Sequence, residues 1–252
     1  MQKKAVGLYI FGRKPIEEAL LTDPKNVKMV YVKESVKEGD LTEVRKYLAR
    51  HKIPITRVPE NKLVSLVGDI KTQGFVAELK EFKTLEFAEW LQTVDMETRP
   101  LVFVLDELED PHNVGAIIRV AAAAGASGVI MSKHRQAPIT STVYKTSAGT
   151  ASRLPIVVVS NTNDTIKKLK DAKFWVIGLD GAAKKNIWSE DFDAPVAIVV
   201  GNEGNGIREI TKKNCDYLLS IPMEGGVESL NASVTAGVVA YEWKRKNFHG
   251  SR

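Results

Sequence analysis

The polar residues best placed for chemistry gather around glycine-rich stretches in the C-terminal half of the chain. Glu203 lies inside Gly201-Asn202-Glu203-Gly204-Asn205-Gly206, whose three glycines let the backbone turn sharply or lie close to a ligand. A second glycine stretch, Gly225-Gly226, leads into the polar triplet Ser229-Leu230-Asn231. Asn113 and Arg119, six residues apart, share one predicted helix upstream. Together they offer one carboxylate, two amides, a hydroxyl and a guanidinium around a glycine-lined pocket, a set able to bind and orient a ligand. Each also has a plainer reading. Arg119 suits a surface cation, Ser229 and Asn231 suit a helix cap, and Glu203 suits a solvated turn. Their joint placement is what favours function.

That placement depends on the elements around them. Ala197-Ile198-Val199-Val200 is an apolar run too short for a helix and reads as a buried strand. Leu218 to Ile221 is a second strand, stopped by Pro222, and Ala232 to Lys246 is a helix. Two glycine loops at adjacent strand ends should line one crevice, where open α/β sheets hold ligands. Upstream, strands at Leu101–Leu105, Gly128–Met131, Leu154–Val159 and Phe174–Ile177 alternate with helices at Asn113–Gly125, Ile139–Ser147 and Thr162–Asp171. The alternation predicts a mainly parallel sheet, with Gly178-Leu179-Asp180-Gly181 as a loop.

The first 80 residues form a separate α/β pattern. Helices are predicted at Lys14–Leu21, Leu41–His51 and Asn61–Val67, and strands at Val27–Val32, Ile53–Val58 and Gln73–Leu79. Residues 81–99 read as a charged linker with a helical portion from Leu85 to Val94, and residues 100–252 form the larger domain.

The net charge of +5 is unevenly spread. Residues 1–80 carry 16 Lys and Arg against 10 Asp and Glu, while residues 81–252 carry 20 against 21. A basic N-terminal third points to a polyanionic partner, most simply nucleic acid; a merely solvated surface is the competing explanation. No apolar run approaches the roughly 20 residues needed to cross a bilayer, and the start lacks a signal-peptide pattern, so a cytoplasmic protein without membrane contact is expected. Cys215 is the only cysteine, and the four histidines show no metal-ligand spacing, so no metal site is expected. The glycines do not match the dinucleotide fingerprint, and neither a P-loop nor a nucleophile elbow is present.

Three stretches together resemble the SpoU (TrmH) family of RNA ribose 2′-O-methyltransferases. They are Asp110-Pro111-His112-Asn113-Val114-Gly115-Ala116-Ile117-Ile118-Arg119, then Val200 to Gly206, then Ile221-Pro222-Met223 through Ser229-Leu230-Asn231-Ala232-Ser233. Ile10-Phe11-Gly12 and Gln73-Gly74-Phe75 resemble the substrate-binding domain of the subgroup acting on guanosine in large-subunit (23S) ribosomal RNA. Thr72 stands where that subgroup usually has His, and Arg13-Lys14 also depart from its commonest sequence.

The resemblance implies a SPOUT-type α/β domain with a deep trefoil knot, an exception to the rule that chains do not thread loops. It also implies a small N-terminal α/β/α RNA-binding domain. S-adenosylmethionine is the implied cofactor, leaving as S-adenosylhomocysteine, and the matching positions are Thr150, Gly178, Leu179, Gly201, Ile221, Met223, Ser229 and Leu230. Arg119 is the implied principal catalytic residue, with Asn113, Glu203, Ser229 and Asn231 orienting it and the ribose. A homodimer packed through the knotted domain is implied as well, and the Val234, Val238 and Tyr241 side of the last helix offers an apolar face for it; packing on its own sheet is the alternative for that face. Ribosomal RNA is the expected substrate. Transfer RNA, or a non-catalytic role in RNA binding and ribosome assembly, are the alternatives, with a nicotinamide-dependent oxidoreductase more distant.

Overall fold

The computed structural model describes residues 8–68, 71–80, 84–147, 150–202, 204–227 and 229–247. It divides into two compact units, residues 1–83 with 139–153 and residues 84–138 with 154–252.

In the first unit, strands β1 (Leu8–Phe11), β2 (Val27–Lys33), β3 (Ile55–Val58) and β4 (Phe75–Leu79) form a sheet in the order β1-β4-β2-β3. β4 runs antiparallel to β1 and β2, and β2 is parallel to β3. Alternation sends successive side chains to opposite faces. Phe11, Val58 and Val76 meet Leu63 of α3 (Glu60–Val67) on one face. Ile10, Val30, Val32 and Ala77 are buried on the other. Helices α1 (Arg13–Thr22) and α2 (Glu38–His51) bury Ile16, Ala19 and Leu20, and Leu41, Val44 and Leu48. A further helix, Ser141–Thr146 (α6 in chain order), packs on β1. The expected helices and strands of this unit are present, and β1 is an addition that the sequence pattern did not supply.

The second unit holds a fully parallel sheet in the order β10-β8-β9-β5-β6-β7. Its strands are β5 (Leu101–Asp106), β6 (Gly128–Ser132), β7 (Ile156–Val159), β8 (Trp175–Leu179), β9 (Val196–Gly201) and β10 (Tyr217–Leu219). β5 is buried at every position, as a central strand covered on both faces must be. The helices are α4 (Phe87–Thr93), α5 (Pro111–Ala124), α7 (Thr162–Asp171), α8 (Glu209–Asn214) and α9 (Ala232–Asn247), and α9 packs on α5.

Two differences from the sequence reading have clear physical causes. Residues 84–99, read as part of a linker, belong to the second unit, and Trp90 of α4 is fully buried among Val102, Val104, Ile130 and Phe174. Its indole Nε1 donates to the Ser127 carbonyl at 3.0 Å, which satisfies the ring's one polar group. Gly178 and Leu179, read as loop, are the last two residues of β8, where they pair with Leu218 and Leu219 of β10.

Candidate active site

The carboxyl ends of β5, β8, β9 and β10 are aligned by register: Asp106 lies opposite Gly201, and Leu179 opposite Leu219. The loops leaving β8, β9 and β10 surround a cavity of about 350 Å³. Leu179, Val200, Leu219, Ile221, Met223 and Leu230 supply aliphatic wall, and the 201–206 loop supplies backbone. Its size falls in the range of small-molecule sites. Asn202, Asn205, Ser229 and Thr235 add uncharged polar side chains to this lining, and Asp180 and Lys212 add charged ones.

The 201–206 loop is closed on itself and tied to its neighbour. Asn202 and Gly206 exchange backbone hydrogen bonds of 3.0 and 2.8 Å, and the Gly204 N–H donates to Asn202 Oδ1 at 2.9 Å. A Cβ on Gly201 would stand 2.2 Å from the Gly206 carbonyl carbon, so this fold of the loop excludes any side chain there. Asn202 Nδ2 donates to the Glu107 carbonyl at 3.0 Å. Alongside, Arg208 binds the fully buried Asp106 through Nη2 at 2.6 Å and Nε at 3.1 Å, and reaches Glu107 through Nη1 at 2.9 Å. The Asp106 carboxylate raises the Arg208 pKa, chiefly by hydrogen bonding, which keeps the cation firmly charged.

Helix α5 begins just past this clamp. The Asp110 side chain caps it by accepting from the His112 N–H at 2.8 Å, with Pro111 at the first helical position. Asn113, in the first turn, is 7% exposed. Asn231 Nδ2 donates to Asn113 Oδ1 at 2.9 Å. The Asn231 Oδ1 atom meanwhile accepts from the Ser233 N–H at 2.9 Å and the Ser233 hydroxyl at 2.6 Å, at the start of α9. One amide thus caps a helix and holds a second amide. Arg119, two turns along α5 from Asn113, is exposed and makes no hydrogen bond or ion pair to another described residue.

Of the cofactor positions inferred from resemblance, Leu179, Gly201, Ile221, Met223, Ser229 and Leu230 line the cavity. Gly178 does not: it is buried in β8, where a Cβ would stand 2.6 Å from Leu218 Cδ2 and 3.2 Å from Cys215 Sγ, so those side chains would have to shift to admit one. Thr150 belongs to the first unit, where its hydroxyl donates to the Ser147 carbonyl at 2.7 Å. Glu203 lies outside the described residues. The sequence reading passed over Asp106, Asn202 and Arg208, which clamp the loops, and Asp180 and Lys212, which line the cavity. Asp106 and Arg208 are 102 residues apart, so only the folded sheet reveals the pair. Asp180 lies in the segment Gly178-Leu179-Asp180-Gly181, and its position just after a strand is the clue the sequence offers.

Among the described residues no group of three or more His, Cys, Asp or Glu is arranged to hold a metal ion, and no helix is long and apolar enough to cross a membrane.

Comparison with known proteins places these features. Residues 100–241 match the SpoU rRNA Methylase family, and residues 9–85 match the RNA 2′-O ribose methyltransferase substrate-binding family. The chain is 36% identical over 239 residues to a putative TrmH family tRNA/rRNA methyltransferase, YacO, of Bacillus subtilis, covering 94% of this chain and 95% of that protein. It is also 36% identical over 240 residues to the 23S rRNA (guanosine-2′-O-)-methyltransferase RlmB of Pseudomonas putida, covering 94% and 96%. Among solved structures, the SpoU methyltransferase AviRb of Streptomyces viridochromogenes in complex with AdoMet shares the fold, with a TM-score of 0.81 at 24% identity over 98% of this chain and 92% of that one.

Proposed function

We propose that this chain, which belongs to the SpoU rRNA methylase family, methylates the ribose 2′-hydroxyl of a guanosine in large-subunit ribosomal RNA. The reaction class is that of the family: S-adenosylmethionine-dependent RNA 2′-O-ribose methyl transfer. The ribosomal guanosine rests on the relative of that specificity, which matches both units at nearly full length. The observation that carries the reading is the glycine-lined cavity beside the Asn113–Asn231 pair, both within the matched methylase segment.

S-adenosylmethionine supplies a methyl group already activated on a sulfonium sulfur. The chain's work is therefore to hold the 2′-hydroxyl in line and to stabilise charge on its oxygen. The cavity would hold the cofactor's nucleoside, with the backbone of Gly201, Asn202, Ile221, Met223 and Leu230 available to it. A guanidinium stays protonated in proteins, so Arg119 does not serve as the base. Its exposed cation, without a partner among the described residues, binds the adjoining phosphate and stabilises the developing 2′-oxyanion. Asn231 fixes Asn113, and Asn113 orients the ribose; Ser229 contributes from the cavity lining, and Glu203 keeps the orienting role that the family resemblance gives it.

The division of labour follows the sequence reading, with residues 1–80 capturing RNA and residues 100–252 transferring the methyl. A single-stranded loop is the natural substrate, because its bases splay out and expose the 2′-hydroxyl. A second copy of the chain covers the outer side of α9, where Val234 and Tyr241 are 50% and 52% exposed while Ala236, Val239 and Ala240 are buried against the unit. The family's trefoil knot is part of the same reading, supported by the return of the chain from edge strand β10 to α9 beside α5. The cytoplasm, where ribosomal RNA is made, is the place of action.

Labelled methyl transfer to separately purified unmodified 23S ribosomal RNA and transfer RNA tests the substrate. Label confined to one 23S guanosine is the expected result; label on transfer RNA alone overturns the target.

A further inference from the structure

The cavity's described lining contains two ionisable side chains, Asp180 and Lys212, and they bind each other: Lys212 Nζ lies 2.6 Å from Asp180 Oδ2. Asp180 is the first residue past the carboxyl end of β8. Its own N–H donates to the Leu219 carbonyl at 3.0 Å, pinning the turn to β10, and its Oδ1 accepts from the Ala182 N–H at 2.8 Å. Lys212 is held in turn by Glu209 at 3.1 Å. An ion pair held by three further contacts, in a pocket otherwise lined by aliphatic side chains, backbone and the uncharged polar side chains of Asn202, Asn205, Ser229 and Thr235, serves more than stability, since two charges facing a cavity cost desolvation.

We propose that Asp180 is the acceptor for the ribose hydroxyls of the cofactor's adenosine, with Lys212 fixing its carboxylate in position. The proposal rests on the S-adenosylmethionine site described above. A carboxylate has about four acceptor sites, and the contacts of Asp180 leave both oxygens able to take another donor. A ribose diol is a pair of neutral donors, and an ionised carboxylate accepts them more strongly than the amide and hydroxyl side chains of Asn202, Asn205, Ser229 and Thr235 in the same lining. In other open α/β sheets an acidic residue beyond a strand's carboxyl end meets a nucleoside ribose in this manner. The cofactor's α-ammonium is the competing partner, but Lys212 already neutralises Asp180, so neutral hydroxyls match it better than a second cation. The Lys212 hydrogen bond also holds the Asp180 carboxyl below its ordinary pKa, so it stays an ionised acceptor.

Calorimetric titration of the full chain with three ligands tests this: S-adenosylhomocysteine, 5′-methylthioadenosine, which lacks the amino-acid portion, and the 2′,3′-dideoxy form of the latter. Asp180→Asn keeps the turn and Asp180→Ala removes the acceptor, each checked for native melting. Both substitutions should weaken the first two ligands alike, about tenfold or more for Ala, as expected for a hydrogen bond to a charged group. The dideoxy ligand should bind the wild type and both variants equally. Loss confined to S-adenosylhomocysteine would assign Asp180 to the amino-acid end and overturn the proposal. A dideoxy ligand that still distinguishes wild type from variant would also overturn it. Failure of the wild type to bind S-adenosylhomocysteine would instead defeat the cofactor site itself, and the proposal with it.

Discussion

Asn231 and Asn113, 118 residues apart in sequence, are joined by a 2.9 Å hydrogen bond between their side-chain amides. The bond links the start of α9 to the first turn of α5, the helix that carries Arg119. Asn231 therefore both caps α9 and braces the first turn of α5, and substitutions can separate the two duties.

Asn231→Ser retains a good capping oxygen but is too short to reach Asn113. Stability should fall by less than about 1 kcal/mol, since serine and asparagine cap comparably. Methyl transfer should slow about 10- to 100-fold, because a misplaced orienting group is costly in near-attack geometry. Thermal melting beside single-turnover transfer separates the effects; an unchanged rate would leave Asn231 as a cap alone.

Arg208→Met should strip the partner from the fully buried Asp106 carboxylate. Breaking a buried pair by removing one side costs about 3–5 kcal/mol. The Arg208 side chain is 35% exposed, so screening reduces this to about 2–3 kcal/mol. Denaturant unfolding measures the loss, and a change below about 0.5 kcal/mol would show that the clamp contributes nothing.

Burial pushes the Cys215 thiol up to about 12 from its ordinary value near 9.0. A raised folded-state pKa means that the native chain holds its proton where the unfolded chain has lost it. The stabilisation is whole below about pH 9 and drains as pH rises towards 12. Cys215→Ala should accordingly flatten the decline of stability across that alkaline window. At pH 8 the native thiol should resist alkylation and react after unfolding; rapid labelling of the folded chain would contradict its burial.

Trp90→Ala should cost about 3–5 kcal/mol, the range for emptying a large aromatic from a core. Urea unfolding followed through the second unit's remaining tryptophans reads this directly. A negligible loss would return residues 84–99 to the status of a linker.

The strongly patterned parts of this fold were legible in sequence: β5 and β9 as unbroken apolar runs, α5 and α9 by their periodic faces, and the glycine loop after β9. What escaped was set by partners distant in the chain. Gly178 and Leu179 look like turn residues until β10 pairs with them. The helix around Trp90 looks like a charged connector until the sheet supplies its pocket. In the site, Asn231 caps α9 as the sequence allows, while its bond to Asn113, 118 residues away, is visible only in the folded chain. Lys212 reads as surface charge in Thr211-Lys212-Lys213, and only the folded chain turns it towards Asp180.

The most direct test compares wild type with Arg119→Gln in single-turnover methyl transfer to unmodified 23S ribosomal RNA, with S-adenosylhomocysteine binding measured in parallel. The wild type should place an alkali-resistant 2′-O-methyl mark on one guanosine. Arg119→Gln should fold and bind S-adenosylhomocysteine normally, because the side chain is exposed and bonded to no described residue. Its transfer rate should fall about 100-fold or more, the scale for losing a group that stabilises a developing oxyanion. Near-full transfer by Arg119→Gln, or a wild type that binds S-adenosylhomocysteine yet marks no ribose, would contradict the central claim.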